Sequence, residues 1–232
     1  MTLGNRDGAS PTWSPDGKQI YFTSGANGPP DIYVRAADGS GEPRELLKFD
    51  TNSLGALFLA VSPDEKVLAY VSNNPSTGVD IDVIPLTGDR KPQPFLRTPA
   101  RESTPTFSPD GKWLAFESTS SGRSEVYVTP FPSGGAQYQV STNGGERPVW
   151  RRDGKEIYYR EGLRIMAVEV SAKASPPEFS TAKALFELAA SNLHGRYYDI
   201  APDGRFLTNS SPTTMQAQSF SLVVNWPGKL RK

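Results

Sequence analysis

The sequence has no cysteine and a single histidine, His194, among its 232 residues. That removes a thiol nucleophile, any thiolate or cysteine–histidine zinc site, and every serine–histidine–acid arrangement that does not use His194. Net charge is also missing, because 25 basic side chains balance 25 acidic ones. A protein that grips nucleic acid nonspecifically must neutralise many phosphates, so this balance argues against such a partner. No apolar run approaches the roughly twenty residues that a membrane span requires, and the N-terminus carries no basic-then-apolar signal pattern. The patterns Gly-x-Ser-x-Gly, Gly-x-Gly-x-x-Gly and Gly-x-x-x-x-Gly-Lys do not occur.

What the chain has instead is turns. Glycine and proline number 21 each, without collagen's period. A Ser-Pro-Asp-Gly tetrad or a worn copy of it recurs at Ser14–Gly17, Ser62–Glu65, Ser108–Gly111, Arg151–Gly154 and Ala201–Gly204, its aspartates 48, 46, 43 and 50 residues apart. Proline presets the first turning position, aspartate folds onto nearby backbone N–H groups and glycine takes the positive φ. Glu65 lacks glycine's freedom, so a different turn geometry is expected in the second copy.

A large apolar residue precedes each tetrad (Trp13, Val61, Phe107, Trp150, Ile200), and an aromatic and β-branched run follows it. A third strand, such as Asp31–Val34 or Glu125–Val128, and a weaker fourth complete most copies. The period predicts four-stranded antiparallel meanders of about 45 residues arrayed around an axis. The expected fold is therefore an all-β, five-bladed β-propeller forming one domain over residues 1–232. Its blades are read at about 11–49, 57–97, 103–142, 147–189 and 196–226, the last completed by residues 1–4 as a latch. An alternative is that the chain is a fragment of a larger propeller. The segment 182–190 is compatible with a short helix, but register with the other copies favours a strand.

The stretches SPTWSPDGKQIYFTS…DIYV and PTFSPDGKWLAFEST…EVYV resemble the TolB-like, WD-type propeller repeats of bacteria, and the likeness runs from Pro11 to Val224. The end of the chain from Tyr197 is similar to the last blade of propeller domains attached to bacterial serine/threonine kinases. The resemblance implies a noncatalytic scaffold or sensor, in the bacterial periplasm or another extracytoplasmic setting, that binds a protein, a peptide or a small ligand.

Residues just ahead of each innermost strand should converge at one rim of the channel. They are Arg6 and Asp7, Asp50 with Asn52, Arg101 and Glu102, Glu146 and Arg147, then His194, Arg196, Tyr197, Tyr198 and Asp199. One reading is a ring of arginine–carboxylate pairs bridging blades. A second is a ligand-binding rim anchored by Arg6, Arg101, Arg147 and Arg196, with Tyr197 and Tyr198 as flat contacts. A third is a calcium site on Asp7, Glu102, Glu146 and Asp199, serving a hydrolase for a lactone, ester or glycosidic bond with His194 as base and Glu102 and Glu146 beside it. The neighbouring arginines count against the metal, so the expected cofactor is none. The tetrad aspartates are expected to be consumed by their own turns.

Overall fold

The computed structural model describes residues 8–25, 29–50, 55–171, 176–188, 198–201 and 203–208. Among them every regular element is a strand and every pairing is antiparallel. The first sheet runs β1 (Gly8–Trp13), β2 (Gln19–Ser24), β3 (Asp31–Ala36) and β4 (Arg44–Leu47) in sequence order. The second repeats it with β5 (Leu57–Val61), β6 (Val67–Asn74), β7 (Gly78–Pro85) and β8 (Gln93–Leu96), and the third with β9 (Glu102–Phe107), β10 (Trp113–Ser118), β11 (Glu125–Pro130) and β12 (Tyr138–Gln139).

The fourth sheet departs from this pattern. Strands β13 (Glu146–Trp150), β14 (Glu156–Glu161) and β15 (Arg164–Ser171) run as before, but β16 (Glu178–Phe179) and β17 (Lys183–Glu187) both pair with β15 along different stretches. The segment weighed between helix and strand is thus a strand, and β16 is an addition that its two residues were too short to announce. A hairpin of β18 (Tyr198–Ile200) and β19 (Phe206–Thr208) follows. The latch expected of Met1–Leu3 lies outside the described residues, and β1 pairs with β2 alone among them.

The sheets stack because each strand's alternation sends apolar groups to both faces. Leu68 and Tyr70 of β6 pack toward the first sheet with Tyr21, Ile32 and Val34. Their neighbours Ala69 and Val71 face the third sheet and meet Phe107, Leu114 and Phe116. Ala115 and Val128 repeat the arrangement against Trp150, Ile157 and Tyr159 of the fourth. Tyr158 and Ile165 then receive Tyr198 and Phe206 from the final hairpin. Phe107 and Trp150 are buried in these seams, whereas Trp13 at the same register is half exposed.

The turns behave as their chemistry dictates. Ser14 Oγ donates to Asp16 Oδ1 at 2.7 Å, and the same carboxylate accepts the Lys18 N–H at 2.9 Å. Ser62–Asp64 and Ser108–Asp110 repeat the bond at 2.7 and 2.6 Å. Where arginine replaces the serine, Arg151 grips Asp153 through two nitrogens, each at 2.7 Å. Glu65 corrects the sequence reading. It adopts φ +56°, the left-handed conformation that Gly17, Gly111 and Gly154 take at +72°, +70° and +72°, so the second turn keeps the common geometry with a residue poorly suited to it. Its carboxylate accepts the Asp16 N–H from the first sheet at 2.9 Å.

Candidate functional site

The first strand of each of the four sheets, β1, β5, β9 and β13, contains a break in register, between Ala9 and Thr12, Leu57 and Ala60, Ser103 and Thr106, and Glu146 and Val149. At each break one residue other than glycine takes a positive φ: Ser10 (49°), Phe58 (47°), Thr104 (49°) and Arg147 (56°). These are bulges, in which an extra residue is left out of the ladder and the strand turns a side chain toward a new direction. Proline follows three of them, as Pro11, Pro105 and Pro148, at a place where no ladder N–H is required. A bulky Phe58 and a β-branched Thr104 in this conformation carry backbone strain of about 1–3 kcal/mol each, a kind of strain that collects at binding and catalytic sites.

All four bulge residues line one cavity of about 270 Å³, joined by Tyr198 from the last hairpin. Pro11, Leu59, Pro105, Pro148 and Val149 give it a wall that is mostly carbon. Inside it the Arg147 guanidinium lies over the Phe58 ring, its carbon 4.4 Å from the centroid, so that the second and fourth sheets touch across the third. Tyr198 is buried and donates its hydroxyl to the Arg147 carbonyl at 2.7 Å.

A second, polar cleft of about 240 Å³ adjoins this cavity and shares Phe58, Thr104 and Arg147 with it. Its other walls are Arg101, Ser103, Glu117, Thr119, Ser124 and Glu146. Glu117 organises the cleft. It accepts Thr104 Oγ1 and the Arg147 N–H at 2.6 Å each, and Ser103 Oγ at 3.2 Å. One carboxylate therefore ties the bulges of neighbouring sheets together. The Glu146 carboxylate meets the Arg160 guanidinium of its own sheet, so its charge is matched within the blade. Arg101 is exposed, and its backbone N–H is held by Thr119 Oγ1 at 3.0 Å.

Of the residues singled out from sequence, Arg101, Glu146 and Arg147 thus meet in the cleft, and Tyr198 joins them through the cavity. Glu102 does not. It is fully buried, turned to Thr98 Oγ1, which donates to it at 2.5 Å, and burial pushes its carboxyl pKa up. Asp199 is exposed, with Oδ1 taken by the Ile200 N–H at 2.9 Å. Among the described residues no three acids or histidines gather in a way that would hold a metal ion. Arg6, Asp7, Asn52, His194, Arg196 and Tyr197 lie outside the described residues. Ser10, Phe58, Thr104 and Glu117 went unnoticed in the sequence, although the bulge residue stands six positions before each of the first four tetrad aspartates.

No family model matches the sequence. The chain is 30% identical over 128 residues to the Tol-Pal system protein TolB of Bordetella pertussis, a match covering 55% of this chain and 28% of that protein. The crystal structure of TolB from Acinetobacter baumannii superposes with a TM-score of 0.65 at 19% identity, over 86% of this chain and 47% of that one. A puromycin-hydrolysing peptidase from Mycobacterium tuberculosis superposes with a TM-score of 0.62 at 19% identity, over 88% of this chain and 37% of the peptidase. Each match spans less than half of the other protein's length. Among the described residues no helix is long and apolar enough to cross a membrane.

Proposed function

We propose that this chain, a TolB-like β-propeller, is a noncatalytic binding module whose channel mouth receives an extended segment of a partner protein. The observation that carries the reading is the set of four strained bulges around one apolar cavity, opening beside a polar cleft. Binding sites combine apolar depth for a side chain with a few placed polar groups that fix orientation. Here Pro11, Leu59, Pro105 and Val149 offer the depth, and Arg101 and Arg147 offer donors suited to an acidic side chain or a terminal carboxylate. The sequence pattern assigns Arg6, Arg196 and Tyr197 to the same rim.

Two further features support binding over catalysis. The cleft's acids are already engaged, Glu117 by three donors and Glu146 by Arg160, which leaves neither as a ready general base. The cavity wall is mostly carbon, and its hydroxyls are engaged, Ser10 by the Phe58 N–H, Thr104 by Glu117 and Tyr198 by the Arg147 carbonyl, where a hydrolase needs a nucleophile beside oxyanion donors. We read the ring as five-bladed and closed. Ile20, Phe22 and Tyr33 support this, because they lie on the face of the first sheet turned away from the second and are nonetheless only 3–7% exposed. The family resemblance assigns the domain to an extracytoplasmic setting.

The test titrates a panel of extended peptides, each pairing an apolar with an acidic residue, by fluorescence anisotropy. Arg101→Glu is compared with Lys183→Glu on the distant strand β17. Micromolar binding that Arg101→Glu weakens by about tenfold or more, with Lys183→Glu unchanged, supports the reading. Equal loss in both variants, or no binding short of millimolar, overturns it.

A further inference from the structure

The junctions between successive blades share a construction, and one of them is built differently. In the first sheet the acid that opens the third strand, Asp31, accepts the Phe49 N–H at 2.7 Å. In the third, Glu125 accepts the Gly144 N–H at 2.9 Å and the Arg123 Nε at 2.6 Å. The following blade presents a small residue two positions before its bulge, Ala56 in one case and Gly145 in the other. Each is held by its N–H, to the Pro30 and Ser124 carbonyls at 2.9 and 3.0 Å. At the middle junction the acid is Asp80, and the residue two positions before the bulge is Glu102.

Both of these carboxyl groups are 0% exposed. Thr77 Oγ1 donates to Asp80 Oδ2 and Thr98 Oγ1 to Glu102 Oε1, each at 2.5 Å. That leaves Asp80 Oδ1 and Glu102 Oε2 buried without a partner. Asp80 lacks the backbone N–H that serves its two counterparts. An ionised carboxylate has no proton to donate, and the Asp80 charge opposes ionisation of the buried Glu102.

We propose that Glu102 is held as a neutral carboxylic acid that shares one proton with Asp80, bridging the second and third blades in a junction that loosens as pH rises. The proton comes from solvent and sits between the two unpartnered oxygens. Among the described residues no cation is paired with either carboxyl. On β7, Asp82 is taken by Arg97 at 2.9 Å and by Ser72 Oγ at 2.8 Å. On β10, Glu117 is occupied by the bulges. On β13, Glu146 meets Arg160 and Arg147 covers Phe58, and strands β5 and β6 carry no charged residue. Arg101, next in sequence to Glu102, is exposed in the cleft.

Burial first, and then the Asp80 charge, raise the Glu102 pKa, while the Thr98 bond works in the opposite direction. The folded protein therefore holds this proton more tightly than the unfolded chain does. Stability is full below the ordinary glutamate value and declines as pH climbs through the folded value. The proposal stands whether or not the rim binds a peptide, and its test uses no ligand for that rim.

Thermal unfolding from pH 4.5 to 9 is measured on the wild type, Glu102→Gln and Asp80→Asn, with infrared spectra of protein carrying 13C-labelled glutamate. Glutamine keeps an acceptor for Thr98 and supplies an N–H for Asp80. Glu102→Gln is expected to flatten the alkaline decline and to melt about 2–4 °C above wild type at pH 8. The labelled wild type is expected to show a protonated-carboxyl band at neutral pH, absent from Glu102→Gln and shifted to a lower pH range in Asp80→Asn. If Glu102→Gln does not fold, the infrared titrations of the wild type and Asp80→Asn decide the matter. An unchanged slope in Glu102→Gln, or no protonated band in the wild type at neutral pH, overturns the proposal. So does calcium raising the wild-type melting temperature but not that of Glu102→Gln, which would mean that a cation does the neutralising.

Discussion

The Arg147 guanidinium covers the Phe58 ring at 4.4 Å although the fourth and second sheets supply the two residues. Each residue also sits in a left-handed backbone conformation, so both bulges aim their side chains inward to meet. The contact lies inside the cavity, where desolvation strengthens a cation over an aromatic face. A double-mutant cycle of Phe58→Leu and Arg147→Met, read by urea unfolding, is expected to return a coupling of about 0.5–1 kcal/mol. Additive losses would show that the two groups are neighbours without being energetically linked.

Glu117 is expected to matter more than either of them. It accepts from Thr104, Ser103 and the Arg147 backbone, and its removal strands an N–H beside the cavity. Glu117→Ala should destabilise the protein by about 1–3 kcal/mol. Amide exchange at Arg147 should accelerate in that variant, while exchange at Tyr159 in the adjoining core stays slow. Uniform acceleration at both positions would mean that Glu117 supports the whole fold and not the bulges in particular.

Phe58 and Glu117 mark where sequence reading ran out. The meanders were legible because the tetrads punctuate the chain and alternation reports which face of a strand is buried, as Leu68 and Ala69 illustrate by packing in opposite seams. A bulge slips through that reading, since it inserts one residue without altering composition, and only the constant distance to the next tetrad aspartate betrays it. Glu117 gives no sequence signal either, because its partners arrive from another strand and another blade. Glu102 was placed at the rim with its neighbour Arg101, yet adjacent residues in a strand point to opposite sides, and the glutamate turned inward.

The turn aspartates predict the acid limb of stability. The Lys18 N–H and then the Ser14 hydroxyl hold the Asp16 carboxyl at about 2, and the Arg151 side chain and then the Lys155 N–H hold Asp153 at about 2, against an ordinary 3.8. A depressed carboxyl pKa contributes stability that is complete above the ordinary value and drains away as pH falls toward 2. Asp16→Asn and Asp153→Asn should therefore each soften acid unfolding in that window, and carbon-detected NMR should find both groups titrating well below the exposed carboxylates. Titration of Asp16 near 3.8 would show that its turn bonds are too weak to bias the proton.

Gly145 is constrained by space, not by its backbone angle. A Cβ there would stand 2.2 Å from Ser141 Oγ and 2.8 Å from Ser141 Cβ, with Val126 Cγ2 at 3.1 Å behind. Ser141 has no room to retreat, because its hydroxyl accepts the Val126 N–H at 2.8 Å and donates to the buried Glu125. Gly145→Ala should thus cost about 1–3 kcal/mol through overpacking, and it should also disturb the Glu125 bonds that close the third blade onto the fourth. Ser141→Ala made in the same chain removes the nearest atom while leaving Cβ in place. The pair is expected to lose less than the sum of the single losses, as measured by chemical unfolding of all three variants. Strict additivity would place the cost of the alanine somewhere other than this contact.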